Sequence, residues 1–106
     1  YALYRSDEHL RRAHQQFPWI VTWDDHEVDN NYANDVEEHG MERTMFLERR
    51  AGAYQAYFEH MPLRLAQQAA GSRLQLYRRF DFGRLARFHV LDTRQYRDDQ
   101  PCGDGV

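Results

Sequence analysis

In the segment Trp19-Ile20-Val21-Thr22-Trp23-Asp24-Asp25-His26-Glu27-Val28-Asp29-Asn30-Asn31, an apolar run passes directly into acids, one imidazole and two carboxamides. These residue types can divide a hydrolytic reaction among them. Asp25, or Asp24 beside it, can coordinate a hard cation, and His26 can stabilise charge on a reacting oxygen or protonate a leaving group. Glu27 can orient that imidazole. In an extended chain Asp24 and His26 point one way and Asp25 and Glu27 the other, an arrangement that a tight turn would change. The competing reading is an acidic loop that hydrates the surface, with His26 in a local hydrogen bond. The apolar run before the cluster, the Asn-Asn pair after it and Trp23 at its shoulder favour a site.

The elements that must position this cluster are legible in outline. Trp19 to Trp23 has the aromatic and β-branched content of a buried strand, and α/β proteins commonly place chemistry where a strand ends. Upstream, Ser6 is positioned to cap a helix with Asp7 and Glu8 in its first turn, apolar on the Leu10, Ala13, His14 and Phe17 face and ended by Pro18. Asn30 to Gly40 lacks an apolar period and reads as a loop beside the site. A second helix is expected from about Glu42, with an apolar stripe of Leu47, Ala51, Tyr54, Phe58 and Met61 closed by Pro62. Leu74 to Phe82 alternates, with Leu74, Leu76, Phe80 and Phe82 on one face, and Gly83-Arg84 turns the chain into Leu85 to Leu91, a hairpin.

A chain of 106 residues holds one domain at most and is short for an enzyme with a complete multi-metal site, so a piece of a longer protein is expected. Cys102 to Val106 has loop-like composition. The 14 cations are all Arg, against 17 acids, and the formal net charge of -3 argues against bulk nucleic-acid binding. No apolar run reaches membrane-spanning length. The single Cys102 excludes a disulfide within the chain.

Trp23-Asp24-Asp25-His26-Glu27-Val28 followed by Asn30-Asn31 resembles the central motif of PhoD-type alkaline phosphatases and phosphodiesterases. Tyr4-Arg5-Ser6-Asp7, Arg49 to Tyr57 with His60-Met61-Pro62, Leu76 to Phe80 and Leu91 to Arg97 resemble the same family in order, so the likeness covers nearly the whole chain. It implies an α/β chain taken from a metallophosphatase-like fold, two packed sheets flanked by helices, with residues 1–106 as the central part of the catalytic domain. It also implies a phosphate-ester substrate, calcium together with iron, and a periplasmic or extracellular location. Asp25 stands where the wider group has a metal-bridging Asn, and Asp24 occupies its usual Gly position; both are candidate metal ligands. By the same resemblance His26 stabilises the transition state and Glu27 is its orienting partner. The family's early Cys, its Asp-x-x-Tyr pair and its later His or Asp ligands have no counterpart in the sequence.

Asp92 and Arg94 form a second candidate pair at the end of the last expected strand. Arg94 can fork onto a phosphate and Asp92 can orient it, so these two and Asn30 are the expected substrate-binding residues. A structural ion pair between Arg94 and Asp92 is the alternative. His14 and His89 read as packed residues, His9, His39 and His60 as exposed or capping ones, and Tyr54, Tyr57 and Phe58 as core. Two other functional classes compete with a phosphoesterase: a noncatalytic domain whose acidic loop holds one hard cation, and a metal-dependent nuclease.

Overall fold

The structure is a computed structural model that describes residues 1–102. The loop-like composition of the C-terminal residues therefore lies, from Gly103 on, outside the described residues. The chain runs through a short helix α1 (Ala2–Arg5), helix α2 (Glu8–Gln16), the long helix α3 (Arg43–His60), a 3-10 turn (Leu65–Gln67) and an antiparallel hairpin of β1 (Arg78–Phe82) and β2 (Ala86–Val90). It is thus a small α/β chain with one two-stranded sheet among the described residues.

Helix α3 forms where the sequence places it. The Glu42 side chain accepts the N–H groups of Thr44 and Met45, satisfying two of the donors that a helix start leaves unpaired, and the helix closes just before Pro62. Its buried face is Phe46, Arg50, Tyr54 and Tyr57. The expected stripe shares only Tyr54 with that face, because the core contacts it from one side of the predicted line; Leu47, Ala51, Phe58 and Met61 are half-buried. At the N-terminus the cap is Asp7, whose Oδ1 accepts the Leu10 N–H at 2.8 Å, not Ser6. Ser6 instead closes α1, donating its hydroxyl to the Leu3 carbonyl at 2.6 Å.

Trp19 to Trp23 is not a strand. The segment has no ladder partner among the described residues, and it is held by side chains instead: the Thr22 hydroxyl donates to the Leu91 carbonyl at 2.8 Å and the Arg78 guanidinium to the Val21 carbonyl at 2.8 Å. β-propensity measures fit to a pleated, paired surface, and here the pairing is missing. The expected hairpin is present but shorter, pairing Arg78 with Val90, Phe80 with Phe88 and Phe82 with Ala86 around Gly83 at φ +54°. Leu74 and Leu76 are buried ahead of β1, whereas Phe82 and Phe88 are exposed, so the alternating face is only half covered. His89, expected to be packed, is exposed.

The core is an aromatic wedge between α3 and the loops. Trp23 stacks on Tyr54 with centroids 4.2 Å apart and planes at 11°, and meets Tyr57 edge-on at 5.4 Å. Val21, Val28, Tyr32, Phe46, Leu74 and Leu76 complete it. Burial pushes the Tyr54 hydroxyl up to about 12, so it stays protonated and shares a 3.2 Å hydrogen bond with Tyr32. Trp23 is 3% exposed and gives its indole N–H to Asp92 at 3.0 Å. Trp23→Ala therefore removes a stack and a charged hydrogen bond together. It is expected to cost roughly 3–5 kcal/mol of local stability, read as lost amide-exchange protection across residues 21–32 in the full-length protein while distant segments keep theirs.

Candidate active site

The cluster that opens at Asp24 is a tight turn, and the turn is built by Asp25. Its carbonyl accepts the N–H groups of Val28 at 2.8 Å and Asp29 at 2.9 Å. Its carboxylate takes the His26 N–H on Oδ1 and the Asn31 N–H on Oδ2, each at 2.9 Å. Asn31 can present its N–H this way because it sits at φ +50°, a left-handed conformation that Asn tolerates better than most residues. The extended alternation of Asp24 and His26 against Asp25 and Glu27 is therefore replaced by a compact turn. Burial works against ionisation of Asp25, but the backbone donors and the Arg94 guanidinium outweigh it and hold the carboxyl below its ordinary range.

Each acid has its own partner. Arg94 places Nε 2.8 Å and Nη2 2.7 Å from Asp24 Oδ1, and Nη2 lies 3.7 Å from Asp25 Oδ2. Glu27 accepts the Asp24 N–H at 2.8 Å. Arg49 pairs with Asp29 at 3.2 Å and also holds the Val28 carbonyl at 3.0 Å. His26 is the group left outward, its side chain 77% exposed. Its Nε2 lies 2.8 Å from Asn30 Oδ1, so the residue bonded to the imidazole is Asn30, where Glu27 was expected. That hydrogen bond, then the charge of Asp25, and to a lesser degree those of Glu27 and Asp24, raise the His26 pKa against an opposing effect of burial.

The structure brings Asp24, Asp25, His26, Asn30 and Arg94 together, and gives Asp92 a different job. Asp92 Oδ1 accepts from Trp23 Nε1 at 3.0 Å, Arg94 N at 3.1 Å and Gln95 N at 2.9 Å, while Oδ2 accepts from Gln95 Nε2 at 3.0 Å. Its carboxylate is turned inward to four donors, one of them the Arg94 N–H, and the Arg94 guanidinium pairs with Asp24 and Asp25, so the alternative reading of an Arg94–Asp92 ion pair does not hold. Sequence reasoning missed Gln95, which is 3% exposed and pairs with both the N–H and the carbonyl of Leu74. It also missed Glu38, whose carboxylate accepts from the side-chain amides of Asn30 and Asn31.

Among the described residues, no group of three or more His, Cys, Asp or Glu side chains is arranged to hold a metal ion. Both Asp25 oxygens already accept N–H groups, and a guanidinium stands beside them. These residues alone do not make a metal centre.

The arrangement is an imidazole raised on an acid-built turn beside an arginine. A family model described as PhoD-like phosphatase matches residues 1–105, and the chain belongs to that family. It is 61% identical over 105 residues to alkaline phosphatase D of Bacillus subtilis (strain 168), across 99% of this chain and 18% of that protein. A solved structure described as "Structure of PhoD" matches with a TM-score of 0.92 and 62% identity, covering 98% of this chain and 20% of that one. The chain thus spans about a fifth of the length of the relatives it matches.

The loop over the site carries a pH-sensitive anchor. Glu37 accepts the Met41 N–H at 2.7 Å, and this bond is the leading reason its pKa is lowered. A carboxyl lowered in the folded state contributes stability that is present above its unfolded pKa and lost as pH falls through the folded one. Between about pH 5 and 3, the exchange protection of Met41, corrected for intrinsic rates, is expected to fall in the wild type and to stay flat in Glu37→Gln. Equal slopes would rule out Glu37 as the source.

Proposed function

We propose that this chain is the central part of the catalytic domain of a metal-dependent phosphatase or phosphodiesterase, and that His26 is its acid–base or charge-stabilising group. The observation that carries the reading is the position of His26. It is an imidazole 77% exposed in a turn whose acids are all paired, in a chain 61% identical to an alkaline phosphatase D. With Nε2–H directed to Asn30, Nδ1 is the nitrogen of this 77% exposed side chain that the bond does not use. The protonated ring can donate from Nδ1 to a phosphoryl oxygen or to a departing alkoxide, and the surrounding carboxylates favour that protonated form.

Metal dependence goes with the family. For this protein we propose calcium and iron, with Asp25 and Asp24 as the oxygen donors from this chain and the remaining ligands from the rest of the polypeptide. The metal would supply the activated nucleophile. The chain's own residues do something narrower: they hold the imidazole, keep Asp25 ionised and fix Asp24 through Arg94. Glu27 supports the imidazole indirectly, through the Asp24 backbone. Asn30 and Arg94 border the outward face as candidate substrate contacts, while the satisfied carboxylate of Asp92 supports them from behind. The two-sheet metallophosphatase arrangement is proposed for the complete domain, as is export across the membrane. Among the described residues no helix is long and apolar enough to cross a membrane.

His26→Ala in the full-length enzyme is expected to lower kcat for a chromogenic phosphate ester by about 10²–10⁴-fold, with bound metal content unchanged. Retention of near-wild-type turnover would remove His26 from the mechanism. Tight metal uptake without hydrolysis of any mono- or diester by the wild type would favour a noncatalytic metal-binding domain instead.

A further inference from the structure

Glu38 lies twelve positions beyond His26 in the sequence, and the two are joined by one carboxamide. Glu38 Oε2 accepts from Asn30 Nδ2, and Asn30 Oδ1 faces His26 Nε2 at 2.8 Å. A carboxamide has a donor end and an acceptor end, and which end faces a partner is decided by the hydrogen bonds it makes. An ionised carboxylate only accepts, so it claims the NH₂ end and leaves the oxygen for the imidazole. The oxygen in turn requires the hydrogen of a neutral His26 to sit on Nε2.

We propose that Glu38 is a positioning residue that sets the tautomer of His26 through Asn30, so that Nδ1 is the nitrogen that exchanges a proton or donates to the substrate. The proposal rests on the catalytic reading of His26 given above. Three features of the loop hold Glu38 in place. Its side chain is 21% exposed, with His39 Nε2 at 3.6 Å from Oε2 and Asn31 Nδ2 at 3.5 Å from Oε1. The preceding reversal is closed by the Ala33–Val36 bridge and tied down by Arg50, which donates to the Asn34 carbonyl. On the other side Glu37 holds the Met41 N–H. Without the Glu38 carboxylate the Asn30 amide is free to rotate half a turn and present its NH₂ group to the ring. That arrangement favours a hydrogen on Nδ1 and removes the proton-exchanging nitrogen from the outward side.

The test uses the full-length, metal-loaded enzyme with ¹⁵N-labelled histidine, reading the tautomer of neutral His26 by NMR alongside kcat and KM. Wild type is expected to show Nε2–H. Glu38→Ala should populate Nδ1–H and lower kcat about 10–100-fold, the range typical of residues that orient a reacting ligand from behind, with KM changed much less. Glu38→Gln, which can still accept from Asn30, should recover most of both. The decisive variant is Glu38→Ala combined with Asn30→Asp: a carboxylate has no NH₂ end to present, so the Nε2–H tautomer should return without Glu38. An unchanged tautomer and kcat in Glu38→Ala would overturn the proposal, as would failure of the double variant to restore Nε2–H. If His26→Ala keeps its activity, the functional reading fails while the tautomer measurements still decide the relay.

Discussion

The carboxylate of Asp92 is the contact on which the rest of the site depends. It gathers the indole N–H of Trp23 from 69 residues away, two backbone N–H groups from the turn that follows it, and the Gln95 amide. A carboxylate drawn partly out of water must be satisfied by donors, and four of them do so here. In return, the segment that carries the acidic turn is fastened to the last loop of the chain. Gln95 extends the same network to both backbone groups of Leu74. From this clamped turn the Arg94 side chain reaches Asp24 and Asp25. The aromatic core fixes where Trp23 is, and Asp92 converts that position into the position of Arg94.

Four acids within six residues would repel one another if they were left unpaired. Each instead has partners: Asp24 pairs with Arg94 and Asp29 with Arg49, while Asp25 accepts two backbone N–H groups with Arg94 beside it and Glu27 accepts the Asp24 N–H. Exposed ion pairs contribute little to stability, with a median of about 0–1 kcal/mol, and the Asp24 side chain is 72% exposed. The value of these pairings is therefore geometric. They fix a charged turn in a single arrangement and leave one titratable ring facing out, in a field that favours its cation.

Local signals in the sequence carried those parts of the fold whose causes are local. Helix α3 is bounded by a capping Glu and a Pro, and the hairpin turns on a glycine that adopts positive φ, so both stand close to where spacing puts them. Trp19 to Trp23 fails as a strand because its propensity is a statement about a paired surface, and its pairing partners are not among the described residues. The α3 face shifted because a helix stripe says which residues can share a side but not which side the core approaches. For Asp92 the sequence pointed to Arg94 but not to Trp23: its donors come from residues 23, 94 and 95, and only the folded chain brings the first of these to the others.

The candidate site was legible in its residue types and less so in their roles, and asparagine shows why. Asn30 and Asn31 follow the acids, and Asn30 reads as a substrate-binding residue. In the structure Asn31 is there for its backbone, since φ +50° lets its N–H turn back onto Asp25 and close the turn. Asn30 is there for its two-ended side chain, which passes the preference of Glu38 on to His26. The contact of Asn30 with His26 is an i, i+4 relation, the spacing of one helical turn, and that relation appears once the chain is read as a turn rather than as the end of a strand. Backbone shape therefore explains why the imidazole bonds Asn30 while Glu27 accepts the Asp24 N–H instead. Asp25 is the residue that curls the chain, the carboxamides follow from that turn, and His26 is the imidazole it leaves facing outward.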